Sequence, residues 1–145
     1  MKFNWKYDFE IDDITSKSDI IQKKLKKIKY KSKVRIAILG GSTIFNIIDQ
    51  LKIFLNLECF NVELYESDYN QYFQEIMFND KKLKKFKPDI IYIFTNIKNL
   101  NYNSDTNKTD QIVKDELNKF SSLWNKVLSE YDSVLIQNNF EYPNV

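Results

Sequence analysis

The chain has 145 residues, 43% hydrophobic and 15% aromatic, enough for a single domain with a real core, and its 29% charged residues can cover a surface, which excludes a disordered protein. Basic and acidic residues number 22 and 20, a net charge of +2, so no general electrostatic case exists for nucleic acid or membrane binding. A single cysteine, Cys59, and the absence of histidine exclude an internal disulfide and any Cys/His metal site.

The N-terminus, Met1-Lys-Phe-Asn-Trp-Lys-Tyr-Asp8, lacks an apolar signal region, and no run approaches the roughly 18 residues of a membrane span. The expected compartment is reducing and cytoplasmic, with no membrane and no nucleic acid as partner. Residues 1–33 read as a helical lead-in, and residues 34–145 as the α/β domain. After a polar Ser16-Lys-Ser-Asp start, Ile20, Ile21, Leu25 and Ile28 recur at helical spacing and predict a first helix over Asp19–Tyr30. The lysine-rich runs Lys23–Lys33 and Lys81–Lys87 are broken by apolar residues at about every third position, which places the lysines on an outward, solvated face.

Val34–Leu39 is a nearly continuous apolar run, as in a strand covered on both faces. It ends at Gly40-Gly41, the only two glycines of the chain. Ile44, Ile47, Ile48, Leu51, Phe54 and Leu55 then predict a helix over Thr43–Leu57, and Val62–Tyr65 a second strand. Cys59, among Leu57, Phe60 and Val62, reads as a small buried apolar residue.

Asn70–Phe78 reads as a helix, and Lys81–Lys87 as its connection to Pro88-Asp89. Ile90-Ile-Tyr-Ile-Phe-Thr95 is rich in β-branched and aromatic residues and predicts a central strand. Asn101–Asp110 reads as a loop, Gln111–Tyr131 as a long amphipathic helix and Ser133–Ile136 as a fourth strand.

Alternation of helices with buried-type strands predicts an α/β fold: a three-layer sandwich around a parallel sheet of about four to five strands with right-handed crossovers. A strand that turns at once into a helix needs backbone freedom and close approach, which accounts for the paired glycines. In such sheets ligands bind beyond the carboxyl ends of the strands, near the point where strand order reverses. Each predicted strand breaks there into small polar residues: Ser42 and Thr43, then Glu66, Ser67 and Asp68, then Thr95 and Asn96, then Gln137, Asn138 and Asn139.

Any one of these can serve only as a cap or turn residue, and Ser42 fits the N-cap of the helix that follows. Gly40, Gly41, Ser42 and Thr43 at a helix N-terminus also suit an oxyanion or phosphate. The dinucleotide fingerprint is excluded by the lack of a third glycine. A P-loop is excluded by the lack of a lysine after Gly41.

Four blocks together resemble the N-terminal region of FkbH-like proteins: Arg35-Ile-Ala-Ile-Leu-Gly-Gly-Ser-Thr43, Val62–Glu75, Phe86-Lys-Pro-Asp-Ile-Ile-Tyr-Ile-Phe94, and Val134-Leu-Ile-Gln-Asn-Asn-Phe140 with Pro143. The resemblance implies a flavodoxin-like or SGNH-hydrolase-like fold preceding a phosphatase-type domain of the haloacid dehalogenase (HAD) superfamily. It implies a part in loading a glyceryl or acyl unit from a phosphorylated glycerate onto an acyl carrier protein. The HAD nucleophile loop, Asp-x-Asp-x-Thr/Val, has one near match, Ile11-Asp-Asp-Ile-Thr15, with Ile11 where the nucleophile belongs.

The phosphatase centre is therefore expected outside this chain, which would be an excised domain or the first half of a split protein. By resemblance to the SGNH hydrolases, Ser42 holds the place of the serine nucleophile and Asn96 partly that of the oxyanion asparagine. Their histidine is missing, and a serine hydroxyl without a base is a poor nucleophile.

The leading expectation is a non-hydrolytic SGNH-like domain that binds an acyl carrier protein, a HAD-type catalytic domain, or a small acyl or phospho ligand through Gly40, Gly41, Thr43, Asn96 and Asn138. No cofactor and no metal are expected. One alternative is a serine-dependent acyl transferase or esterase in which Ser42 attacks with help from Asp68 or from a residue of another chain, with Asn96 and the Thr43 amide as oxyanion donors. A second is a small anion- or nucleotide-binding module built on the Gly40–Thr43 turn.

Overall fold

The computed structural model describes residues 18–101 and 108–140. The near match Ile11–Thr15, most of the expected 101–110 loop, and Pro143 lie outside the described residues. In chain order the elements are α1 (Ser18–Leu25), β1 (Ser32–Gly40), α2 (Phe45–Leu57), β2 (Phe60–Glu66), α3 (Tyr72–Met77), α4 (Lys81–Phe86), β3 (Ile90–Phe94), a 3₁₀ turn (Ile97–Asn99), α5 (Thr109–Glu130) and β4 (Val134–Gln137).

The four strands form one sheet in the order β2-β1-β3-β4, every neighbouring pair parallel. Helices cover it on both sides, as the alternating pattern predicts. Strand order reverses between β1 and β3, since the chain steps from β1 out to β2 and back past β1 to β3. Register pairs Ile38 with Glu66 and Gly40 with Phe94, so the strand ends share one edge.

Successive residues of a strand face opposite ways, and the two faces carry separate cores. On one, Ala37, Leu39, Ile91 and Ile93 pack with Tyr72 and Ile76 of α3, Leu83 of α4, and Phe120, Leu123 and Val127 of α5. On the other, Ile36, Ile38 and Val62 pack with Ile44 and Ile48 at the start of α2. A third, small cluster joins Ile21 of α1 to Ile53, Phe54 and Leu57 on the outer side of α2. Burial of each such aliphatic side chain contributes about 1.5–3 kcal/mol.

Several boundaries differ from those the periodicity predicts. Helix α1 ends at Leu25 rather than Tyr30: the lysine run beyond it has little to bury, and the chain closes in i→i+3 turns, Lys27 N–H to Lys24 O at 3.0 Å and Ile28 N–H to Leu25 O at 3.2 Å. Helix α2 starts at Phe45, its N-cap position is Ile44, and the expected Ser42 cap is not formed.

The Lys81–Lys87 connection is itself a helix. Asp80 caps it, its carboxylate accepting from Lys82 N–H at 2.7 Å and Leu83 N–H at 3.0 Å. Leu83 is buried there while the lysines are exposed. Cys59 is half-buried rather than buried, in a left-handed turn with φ 70° between α2 and β2.

Neither glycine has a positive φ; among the described residues the left-handed positions belong to Cys59, Asn70, Asn79 and Lys87. Backbone freedom is thus not what the glycine pair supplies. Close approach is.

Candidate functional site

The rim beyond the carboxyl ends of the strands is stitched together by short polar side chains. Between β1 and β3, the Gly41 N–H donates to Phe94 O at 2.8 Å. The Asn99 amide closes the gap above it: Nδ2 donates to Gly41 O at 2.7 Å and to Asn70 Oδ1 at 3.3 Å, and Oδ1 accepts from Asn96 N–H at 2.9 Å. A Cβ on Gly41 would lie 2.5 Å from the Asn99 carboxamide. The strand-order reversal, where a ligand crevice is expected, is therefore filled by Asn99.

Asn99 is in turn held by Lys119 of α5, whose Nζ donates to Asn99 O at 2.9 Å and to Glu116 Oε2 at 3.3 Å. Glu116, buried to 9% exposure, also accepts from Asn101 N–H at 3.1 Å.

Between β1 and β2, the buried Ser67 hydroxyl accepts from Gly40 N–H at 2.9 Å, and Ser67 N–H donates to Ile38 O at 3.1 Å. Between β3 and β4, Asn138 imitates a strand: its Oδ1 accepts from Thr95 N–H at 3.0 Å and its Nδ2 donates to Thr95 O at 2.6 Å. Gln137 Nε2 reaches Thr95 Oγ1 at 3.2 Å.

The expected site residues divide accordingly. Gly40, Gly41, Ser42, Thr43, Asn96 and Asn138 share the rim. The N–H groups of both glycines are engaged, Asn96 Oδ1 caps the 3₁₀ turn by accepting from Lys98 N–H at 2.9 Å, and Asn138 is committed to Thr95. Ser42 is half-buried, and its hydroxyl makes no hydrogen bond among the described residues. It borders a cavity of about 240 Å³ with Gly40, Thr43, Ile44, Glu66, Ser67 and Tyr69.

Asp68 does not line that cavity. It is exposed and borders a separate depression of about 410 Å³ with Gln71, Gln74, Glu75, Asp80 and Lys81.

Two residues that organise the rim escape a reading by strand ends: Asn99 lies five residues beyond Phe94, the last of β3, and Glu75 lies inside α3, while Ser67 stands at an expected strand tip and contributes as a buried acceptor. Glu75 accepts from Tyr65 Oη–H at 2.8 Å and from Asp68 N–H at 3.1 Å, which fixes the exit of β2. Burial raises the Glu75 carboxyl above its ordinary range, with the Tyr65 hydrogen bond opposing. The Tyr65 hydroxyl is raised as well, by burial first and then by its bond to Glu75. The signal for Asn99 was its density of neighbours of the same kind, Asn96-Ile-Lys-Asn-Leu-Asn101, an Asx-rich turn.

Among the described residues, no group of three or more His, Cys, Asp and Glu side chains comes close enough to hold a metal ion. No described helix is long and apolar enough to cross a membrane.

No protein-family model and no curated protein matches the chain. A solved structure similar to it is the N-terminal part of the protein BF1531 from Bacteroides fragilis, containing a phosphatase domain and complexed with Mg. The two share 24% identity at a TM-score of 0.66, over 86% of this chain and 32% of that one. This chain thus spans about a third of the length of that structure, and the likeness is one of fold.

Proposed function

We propose that this chain is a non-hydrolytic, SGNH-like N-terminal domain of an FkbH-like biosynthetic protein, acting beside a HAD-type catalytic domain in the loading of a glyceryl or acyl unit onto an acyl carrier protein. The observation that carries this reading is the state of Ser42. Its hydroxyl borders a small cavity and is hydrogen-bonded to no base among the described residues, the Glu66 carboxylate of the same cavity included, and the carboxylate expected to help it, Asp68, borders a different depression. A serine so placed can donate a hydrogen bond to a ligand; it is not activated to attack one.

The cavity also favours one ligand chemistry. Among the described residues its only charged lining residue is Glu66 and no lysine or arginine lines it, and the Gly40 and Gly41 N–H groups that would receive an anion are already engaged. An uncharged acyl or hydroxylated end of a ligand suits these walls better than a phosphate, which counts against the anion-binding alternative.

The similar fold found in the N-terminal part of a phosphatase-domain protein supports the placement beside a HAD domain. The test is a pair of measurements. Short-chain nitrophenyl esters should turn over no faster with the chain than in buffer, and Ser42→Ala should leave that rate unchanged. In an amide NMR titration with the uncharged methyl ester of glyceric acid, Ser42, Thr43 and Tyr69 should shift. Turnover that disappears in Ser42→Ala would instead establish the serine-dependent alternative.

A further inference from the structure

We infer, resting on the proposed reading of the Ser42 cavity as the ligand site, that this cavity holds a vicinal diol, two hydroxyls on adjacent carbons, and that the Glu66 carboxylate is the group that selects it. Strand parity builds the walls. Val62 and Leu64 of β2 pack on the α2 side of the sheet, so Glu66, two residues beyond Leu64, turns to the same side. There it meets Ser42, Thr43 and Ile44 at the entry to α2, and Tyr69 of the loop after β2 completes the lining with Gly40 and Ser67. Register sets Glu66 beside Ile38, and the loop is fastened to β1 by the Ser67 N–H to Ile38 O and Gly40 N–H to Ser67 Oγ bonds.

The hydrogen-bonding capacity left open on these walls is specific. Among the described residues the Glu66 carboxylate has no hydrogen bond or ion pair, and the Ser42, Thr43 and Tyr69 hydroxyls have no partner. Ser67 is 7% exposed; its Oγ is engaged as an acceptor, and its own O–H meets no acceptor among the described residues. The cavity therefore offers two open acceptor oxygens on one wall and a buried donor on another, with three further hydroxyls able to act either way.

Ligand chemistries meet those walls differently. An anion would face Glu66 with no cation on the lining to offset the repulsion. An ammonium group can donate to Glu66 but has no lone pair for the Ser67 O–H. A hydroxyl does both, and two hydroxyls on adjacent carbons match the two carboxylate oxygens with a pair of charge-assisted hydrogen bonds.

The place in the fold agrees. In dinucleotide-binding α/β folds an acidic residue about 20 positions past the glycine turn holds a ribose hydroxyl, while the diphosphate lies on the turn itself. Glu66 ends β2 at a comparable spacing from Gly41. The Gly40 and Gly41 N–H groups are engaged, so the diol half of that arrangement is present here without the phosphate half.

The experiment is an amide NMR titration of the full chain with 3-methoxypropane-1,2-diol, with 1-methoxypropan-2-ol, which lacks one hydroxyl, and with methylammonium. The diol should shift Ser42, Thr43, Ser67 and Tyr69 and bind about ten-fold more tightly than the mono-alcohol, as expected for a hydrogen bond to a charged acceptor. Glu66→Gln should weaken the diol about ten-fold with an unchanged unfolding midpoint. Glu63→Gln, on the same strand but the opposite face, should not weaken it. Equal binding of the diol and the mono-alcohol, diol binding indifferent to Glu66→Gln, no shift with any probe, or methylammonium binding more tightly than the diol would each overturn diol selection. Ester turnover that depends on Ser42 would overturn the proposed function instead, and it is read independently of this titration.

Discussion

At the scale of single residues, the rim shows how a side chain can take the place of a ligand. Gly41 is there because Asn99 needs the space: any Cβ would lie 2.5 Å from its carboxamide. Gly41→Ala should therefore displace Asn99 and leave the Gly41 carbonyl and Asn96 N–H without that partner, lowering stability by about 1–3 kcal/mol in urea unfolding. Lys87 makes the reverse case. It ends α4 at φ 52° with a side chain that is exposed, so Lys87→Gly should stabilise by up to about 1 kcal/mol in the same measurement.

Glu75 yields a pH dependence. Its folded-state carboxyl titrates above its unfolded value of about 4.3, so the folded form holds the proton more tightly, and this group's contribution falls as pH rises from there through the raised value. Glu75→Gln keeps the acceptor for Asp68 N–H and should flatten that part of the stability–pH profile, as read by thermal unfolding across pH 4–7.

At the scale of elements, helix boundaries follow burial and capping more than periodicity. The Lys81–Lys87 stretch looks like a linker because it holds only Leu83 and Phe86 as apolar residues, yet a carboxylate at Asp80 and one buried leucine are enough for a six-residue helix when α3 and the sheet wait beneath it. Isolated, so short a helix would not form. Asp80→Ala should cost about 1 kcal/mol and raise amide exchange within α4 selectively, since the cap satisfies two of its first N–H groups. Helix α1 behaves oppositely: the lysine-rich run that follows it over 26–33 holds no buried residue, and the helix stops at Leu25.

At the scale of the whole molecule, the sheet separates two cores that its strands share, since successive residues of a strand face opposite ways. Ile38 and Leu39 are adjacent, wholly buried and on opposite faces. Ile38→Ala and Leu39→Ala should each destabilise by about 2–5 kcal/mol, and fluorescence and circular dichroism should report one shared transition in both variants. Two separated transitions would mean that the layers fold independently.

How much of this was legible in advance depends on whether a feature is written in local pattern. The apolar runs Val34–Leu39 and Ile90–Phe94, the stripe from Ile44 to Leu55 and the long α5 pattern are periodic, and period together with alternation determines a parallel α/β sheet whose polar tips gather on one edge. Ser42 and Asn96 were thus placable on that edge from the sequence alone, and the strand order makes their strands neighbours.

What those tips do was decided only in three dimensions, because hydrogen bonds between residues far apart in the chain carry no periodic trace. Gly40 with Ser67, Gly41 with Asn99 and Thr95 with Asn138 are separated by 27, 58 and 43 positions. The same holds for the place of β4: its four residues read as an ordinary strand, and only the strand order puts them at the edge of the sheet among the described residues.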